Sequence, residues 1–228
     1  MKPFEIPNAI KSIIDIYPTA EDIVKAINNG EKDVRYILAS LWLSEGIPYC
    51  FRSQPAIYEE VRLFLSQRLK ICAKEITIIG SGRQGFSLSP GENFGRPFGK
   101  YSDLDLNAIS SPLFEKLKRE FERWKVDYTI GDVAPRNEFE KKYWKDNVER
   151  IPHNLIRGFI DPYKIPTFDR YPQTQVIVDL TSIIHKKLKI TPGAPMVRGV
   201  GLRVYSDWDA FVRQMSVNLG VLLKINAI

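Results

Sequence analysis

The chain has 228 residues, enough for one well-packed domain, and its 44% hydrophobic and 26% charged content is typical of globular proteins. An excess of Lys and Arg over Asp and Glu gives a net charge of +6, which fits an anionic partner such as a nucleotide or RNA. Cys50 and Cys72 have no metal-type spacing, and no apolar run approaches a membrane span, so a thiolate metal site and a membrane protein are excluded. The N-terminus has no signal pattern, and we expect a cytoplasmic location.

Residues 1–54 predict a helical annex. Thr19 or Ala20 precedes the acidic pair Glu21 and Asp22, a typical first turn of a helix, and the helix is expected to end near residues 28–30. Pro55 begins a further predicted helix, whose apolar residues repeat at intervals of three and four.

The predicted elements after this helix alternate between strands and helices. They are strands at 76–79, 104–109, 126–130 and 175–180, helices beginning at 111, at 137–150 and at 206–224, and an irregular connection at 152–172. This order predicts an α+β fold, in which helices pack on a mixed sheet, with additional helices at both ends of the chain. We expect a single domain over residues 1–228, with a core at about 55–190.

Two short strands carry the residues with the most distinctive chemistry. The strand at 76–79 ends in Gly80 and Ser81, and the next strand carries Asp103 and Asp105, which point to the same face because side chains alternate along a strand. Two neighbouring carboxylates repel each other unless a cation lies between them. The pattern therefore predicts a divalent metal site beside a glycine turn that can approach phosphate groups.

A third carboxylate is expected further along the chain. Asp179 lies within the apolar segment 175–180, where an unpaired buried carboxylate would be unfavourable, so we choose it as the third metal ligand. Asp127, in the predicted strand at 126–130, is the alternative, and Asp132 is a weaker one. Gly82 and Arg83 follow the glycine turn and are predicted to contact phosphates, although Arg83 is equally suited to a structural ion pair.

Taken together, Gly80, Ser81, Asp103 and Asp105 resemble the signature of DNA polymerase β-like nucleotidyltransferases, over about residues 55–180. The resemblance implies that the Gly-Ser turn holds a nucleoside triphosphate such as ATP, and that Asp103, Asp105 and Asp179 bind Mg²⁺ or Mn²⁺. It further implies transfer of a nucleoside monophosphate to a hydroxyl group of RNA, protein or a small molecule.

Two other interpretations remain open. With Arg83 included, the motif is similar to bacterial enzymes that synthesise cyclic or linear signalling oligonucleotides in antiviral defence, but the chain is shorter than those enzymes. A non-catalytic module that binds nucleotide or RNA, or acts as an antitoxin-like partner, would keep the same pocket. The sequence departs from the family in the 21 residues between Ser81 and Asp103, where residues 86–100 resemble an insertion beside the site.

Overall fold

The computed structural model describes residue 3 and residues 5–223, and its secondary structure is α+β. The helices are α1 (Ala20–Asn29), α2 (Lys32–Leu41), α3 (Pro55–Leu69), α4 (Ser81–Gln84), α5 (Ser111–Ile130), α6 (Glu138–Ile156), α7 (Pro172–Ile190) and α8 (Trp208–Leu223). The strands are β1 (Ile76–Ile79), β2 (Asp103–Ile109), β3 (Phe159–Ile160) and β4 (Gly199–Tyr205). Position 224 of the predicted last helix, and positions 1, 2 and 4 of the predicted annex, lie outside the described residues. Within the described part, no helix is both long and apolar enough to cross a membrane.

The strands form one mixed sheet in the order β1-β2-β4-β3. Strand β2 is antiparallel to β1 and parallel to β4, while β3 is antiparallel to β4. In this register Asp105 lies between Ile79 of β1 and Gly201 of β4. The mixed sheet with helices, predicted from the sequence, is confirmed.

Each face of the sheet is covered by its own hydrophobic core. One core joins β1, β2 and β4 to α3, α5, α6 and α7, and it includes Leu104 and Leu106 of β2. The other joins α1, α2 and α8 to the opposite face. Since alternate residues of a strand point to opposite faces, Asp103 and Asp105 lie on the side of α8.

Local sequence signals account for the first helices. Thr19 accepts a hydrogen bond from the backbone N–H of Asp22, whose carboxylate in turn accepts from the Thr19 N–H, a reciprocal capping box at the start of α1. Pro55 occupies the first turn of α3, where the missing N–H has no helical partner to lose. Both predicted helix starts are confirmed.

Two predicted strands are wrong. Residues 126–130 are the last turns of α5, which ends at Gly131 with φ +83°, and residues 175–180 lie inside α7. Both segments are rich in β-branched residues, but a buried stripe at helical spacing extends beyond each of them. In α7 this stripe consists of Thr174, Ile177, Leu180, Ile184 and Leu188. Packing of the longer stripe against the sheet outweighs the local strand preference.

Two strands of the sheet, β3 and β4, are not predicted from the sequence. Strand β4 pairs with β2 along seven residues, although its glycines at 199 and 201 weaken the strand signal in the sequence. Strand β3 has only two residues and lies in the segment 152–172, which we expected to be irregular throughout. Pro152 at the start of that segment lies inside α6.

Candidate functional site

The Gly80–Ser81 turn and the two aspartates of β2 meet in one pocket of about 420 Å³. Its walls come from the loop after α4, which contributes Ser87 and Arg96, and from α8, whose Met215, Asn218, Leu219 and Leu222 form an apolar side with one amide. The loop is folded on itself, because the N–H of Ser87 donates to the carbonyl of Arg96 at 2.9 Å. The segment 86–100 therefore lies beside the predicted site, as expected.

Gly80 lies in backbone contact with the carboxylate of Asp105. Its φ of +66° is rarely adopted by other residues, and a Cβ at this position would lie 3.0 Å from Oδ2 of Asp105. Ser81 begins α4, a single turn in which the N–H groups of Arg83 and Gln84 donate to the carbonyl of Gly80, and the first N–H group, that of Ser81, has no partner within the helix. The turn thus places backbone donors and a hydroxyl group next to a carboxylate.

The two aspartates have different surroundings. Asp103 forms a two-point ion pair with Arg198, in which Nε of Arg198 donates to Oδ1 at 3.1 Å and Nη2 donates to Oδ2. Asp105 has no such partner among the described residues. Although its side chain is exposed to the pocket, desolvation by the surrounding protein together with the negative charge of Asp103 raises its pKa to about 6. Two carboxylates held this close need a cation beside them, and Arg198 supplies one.

Strand β4, which runs parallel to β2, carries no third carboxylate along its described length. Gly199 and Gly201 lie opposite Asp103 and Asp105, and the next residue on that face is Arg203. The nearest acid beyond it is Asp161, which directly follows β3 and is 2% exposed. Arg203 donates to Asp161 at 2.6 Å, and Lys164 lies 3.0 Å from the same carboxylate.

Asp161 therefore forms a buried ion pair with Arg203 and Lys164. Burial pushes its pKa up, but the charges of Arg203 and Lys164 outweigh this and leave the pKa below its ordinary value. The guanidinium of Arg203 also stacks 4.7 Å from the ring centre of Phe159. The negative charge of Asp161 contributes a little to the raised pKa of Asp105, and the positive charge of Arg203 opposes it.

The structure does not bring Asp179 to this pocket. It is an exposed residue of α7, accepts a hydrogen bond from Gln175 at 3.0 Å, and lines a separate depression with Arg68 and Lys70. The reason for choosing it, a carboxylate buried in an apolar strand, is wrong because the segment is helical and the side chain faces solvent.

The two alternatives also lie elsewhere. Asp127 is buried on α5, where it accepts a hydrogen bond from the hydroxyl of Tyr171 at 2.7 Å and lies 3.1 Å from Arg170. Asp132 lies 3.9 Å from the same Arg170. Both belong to a structural network around the entry to α7.

Arg83 and Gly82 face the protein interior rather than the pocket. The guanidinium of Arg83 donates to the carbonyl oxygens of Trp42 at 3.0 Å and Ile47 at 2.8 Å, and the residue is 2% exposed. Gly82 packs against Ile78, where a Cβ would approach to 3.2 Å. Arg83 therefore ties α4 to the loop after α2, Gly82 packs against β1, and neither residue lines the pocket.

Three pocket residues were missed by sequence reasoning. Arg198 precedes β4, and its contact with Asp103 depends on the pairing of strands 95 residues apart. Asn218 lies on the pocket side of α8, where an apolar stripe hides the single amide. Gln84 is 4% exposed, and its Oε1 has no hydrogen-bond partner in the described part of the chain. An unpartnered buried amide oxygen is rare, and this one belongs to a residue of the pocket wall.

The donor set fits one divalent cation better than two. Mg²⁺ is commonly held by one or two carboxylates together with phosphate oxygens of the substrate, and Asp103 and Asp105 meet that requirement. Among the described residues, no group of three or more His, Cys, Asp or Glu side chains could hold a metal ion. The three-carboxylate centre expected from the sequence therefore does not fit these residues.

Comparisons of the chain with models of protein families, with curated proteins and with solved structures gave no match in any of the three.

Proposed function

We propose that the pocket binds a nucleoside triphosphate together with one Mg²⁺ or Mn²⁺, and that the chain is a nucleotidyltransferase that moves a nucleoside monophosphate to a hydroxyl acceptor. The observation that carries this proposal is the convergence of Gly80 and Ser81 with Asp103 and Asp105 in one pocket. A glycine turn with free N–H groups suits phosphates, and paired carboxylates suit a hard cation. A nucleotidyltransferase fold is part of the proposal.

Each pocket residue has a role in this proposal. Asp103 and Asp105 hold the cation, which when bound stabilises the negative charge that develops on the phosphates. Ser81 and the N–H groups of its turn bind phosphate oxygens. Arg96 and Arg198 add positive charge at the same wall, and Arg198 is 68% exposed, so it can turn from Asp103 to a phosphate.

The wall formed by α8 suits the base of the nucleotide. Met215 and Leu219 offer apolar surface, while Nδ2 of Asn218 is available because the Asn218 amide oxygen accepts from Gln214 at 2.9 Å. Pockets for small ligands commonly combine such apolar walls with a few polar groups that fix orientation. We assign the base to this side and the phosphates to the Gly80 turn.

The second candidate function is a non-catalytic nucleotide-binding module. One observation favours it: the face of β4 beside the two aspartates carries Gly201 and Arg203 rather than a carboxylate, and Asp161 is held by Arg203. A site with two carboxylates can bind a nucleotide with its cation but lacks the ligands for a second metal ion. The pocket would be the same, and only the reaction would be absent.

Transfer of label from each of the four α-³²P nucleoside triphosphates tests the proposal, with Mg²⁺ or Mn²⁺ and with protein, RNA or no acceptor. We expect label on an acceptor or in a new nucleotide, the latter product indicating a signalling oligonucleotide. Asp103→Asn and Asp105→Asn should retain less than about a tenth of the rate, because each removes a ligand of the cation.

Asp179→Asn is the matched control, since it removes an exposed carboxylate outside the pocket, and it should keep the full rate. Binding of nucleotide without labelled product in any fraction would favour the non-catalytic module. Full activity of Asp105→Asn would contradict both functions.

A further inference from the structure

A second concave surface lies away from the pocket, where α5 meets the end of α3 and the start of α7. This basic groove has a volume of about 520 Å³. Its basic residues are Arg68, Lys116, Arg119, Arg123 and Arg170, and its other lining residues are Glu120, Pro172, Gln173 and Val176. None of these residues lines the pocket of Asp103 and Asp105.

Three of the cations form a row on α5. Lys116, Arg119 and Arg123 are spaced at i, i+3 and i+7, which places them on one face of the helix, and all three are exposed. With a rise of 1.5 Å per residue, the row extends over about 10.5 Å. Like charges at this spacing repel each other and destabilise the helix when no anion is bound beside them.

Of the three cations in the row, only Arg123 lies near an acid that pairs with it in the described part of the chain. Glu120 accepts hydrogen bonds from the backbone N–H groups of Gln173 at 2.6 Å and Thr174 at 2.8 Å, so its charge is matched to the start of α7. Arg170 and Arg123 share Asp127, at 3.1 and 4.0 Å.

Lys116 and Arg119 form no ion pair within the described residues. Arg68 forms none there either, and its guanidinium lies 3.8 Å from the ring centre of Phe64. Glu115 and Glu122 lie on a neighbouring face of α5, where Glu115 is 3.9 Å from Lys118.

We propose that the basic groove binds the phosphate backbone of a nucleic acid. Each strand of a duplex carries one charge per about 3.4 Å of helix axis, so the row on α5 extends along about three phosphates of one strand. Four of the five cations are arginines, whose planar forks pair with phosphate oxygens at two points. Among the residues that the structure describes, no aromatic side chain lines the groove, so the contacts are to the backbone and independent of sequence.

The concave shape favours a nucleic acid over a membrane surface. A lipid surface is approached by cations on a flat or convex face with projecting apolar side chains. The apolar lining residues are Pro172 and Val176, of which Val176 is 41% exposed, and five cations line the same groove. Asp179 lines the adjoining depression together with Arg68 and places a negative charge at that end of the groove.

Fluorescence anisotropy with labelled single-stranded RNA and duplex DNA tests the proposal at several salt concentrations. We expect binding that weakens with salt, and at least a tenfold loss of affinity in Lys116→Glu/Arg119→Glu. For each phosphate that the variant no longer neutralises, the slope of log K against log salt should fall by about 0.7 with a single strand and about 0.9 with duplex DNA.

The control is Lys142→Glu/Lys145→Glu, which makes the same change of charge at the same i, i+3 spacing on the exposed face of α6. It should bind like the wild type, and circular dichroism should show that both double variants are folded. Asp105→Asn should also bind RNA normally, so a failure of the nucleotide pocket would leave this result unchanged.

Three results would overturn the proposal. The first is that Lys116→Glu/Arg119→Glu binds nucleic acid as tightly as the wild type. The second is that both double variants lose the same amount of affinity for nucleic acid. The third is that the wild type binds phosphatidylserine vesicles but neither nucleic acid.

Discussion

Arg198 and Asp103, from the ends of two parallel strands, form a two-point ion pair at the mouth of the pocket. The pair satisfies one of two adjacent carboxylates and leaves Asp105 with a raised pKa. Arg198 thus occupies the position in which a cation would otherwise be needed beside Asp103.

Arg198→Ala should have opposite effects on the two ligands of the pocket. Free Mg²⁺ should bind more tightly, because the ion no longer competes with a guanidinium for Asp103. A nucleoside triphosphate at saturating Mg²⁺ should bind about tenfold more weakly, since a charged contact to phosphate contributes roughly 1.5–3 kcal/mol in protected sites and less at an exposed one. Calorimetric titrations of both ligands measure the two changes, and a change of the same sign in both would refute the competition.

The raised pKa of Asp105 makes stability depend on pH in a defined direction. The folded protein binds this proton more tightly than the unfolded chain, so stability is highest below pH 4 for this group and is lost as the pH rises to about 6. Asp105→Asn removes the ionised group. It should therefore be more stable than the wild type by about 1 kcal/mol at pH 8, a value that allows for solvent screening of a partly exposed side chain.

Urea unfolding of both proteins at pH 4.5 and pH 8 measures this difference. It should be small at the lower pH and larger at the higher one. A difference that shrinks as the pH rises would show that the carboxylate is stabilised rather than strained by its surroundings.

Gly80→Ala should destabilise the protein by about 1–2 kcal/mol, because it combines a positive φ with a Cβ close to Oδ2 of Asp105. Nucleotide affinity should fall as well, since the turn must shift to admit the methyl group. Gly99→Ala serves as the control, because its φ is not in the left-handed region and a Cβ there meets nothing within 4 Å. Thermal unfolding of the two variants side by side gives the answer, and equal melting temperatures would count against the strained turn.

Asp161→Asn should be among the most destabilising single changes in the site. It leaves Arg203 without its carboxylate in a largely buried position, and breaking such a pair costs about 3–5 kcal/mol. Asp161→Asn/Arg203→Met should recover part of the loss, because the guanidinium of Arg203 is then no longer left unpaired, while Lys164 still lacks the carboxylate of Asp161. Denaturant unfolding of the single and double variants forms a mutant cycle, and additive losses would contradict direct coupling of the two residues.

The parts of the fold that the sequence predicts correctly depend on signals within a few residues. The capping residues Thr19 and Asp22, the proline at 55 and the short apolar run before Gly80 each act locally. The same holds for half of the candidate site, because Gly80 directly follows β1 and Asp105 lies in β2, and these two strands are consecutive in the chain and paired in the sheet.

The remainder of the site depends on contacts between distant segments. Segment 175–180 has the composition of a strand, and only the stripe that continues to Leu188 identifies it as helix. Strand β4 carries two glycines where it passes the aspartates, so its sequence resembles a loop. The partners Arg198 and Arg203 depend on the pairing of β4 with β2, and the choice of Asp179 as the third metal ligand depends on a strand that the fold does not contain.

Isothermal titration calorimetry with a non-hydrolysable ATP or GTP analogue, with and without Mg²⁺, tests the central claim most directly. The account predicts binding that strengthens with Mg²⁺ in the wild type and in Asp179→Asn, and that loses its dependence on Mg²⁺ in Asp105→Asn. Nucleotide binding that is unchanged in Asp105→Asn, or that is lost in Asp179→Asn, would contradict it.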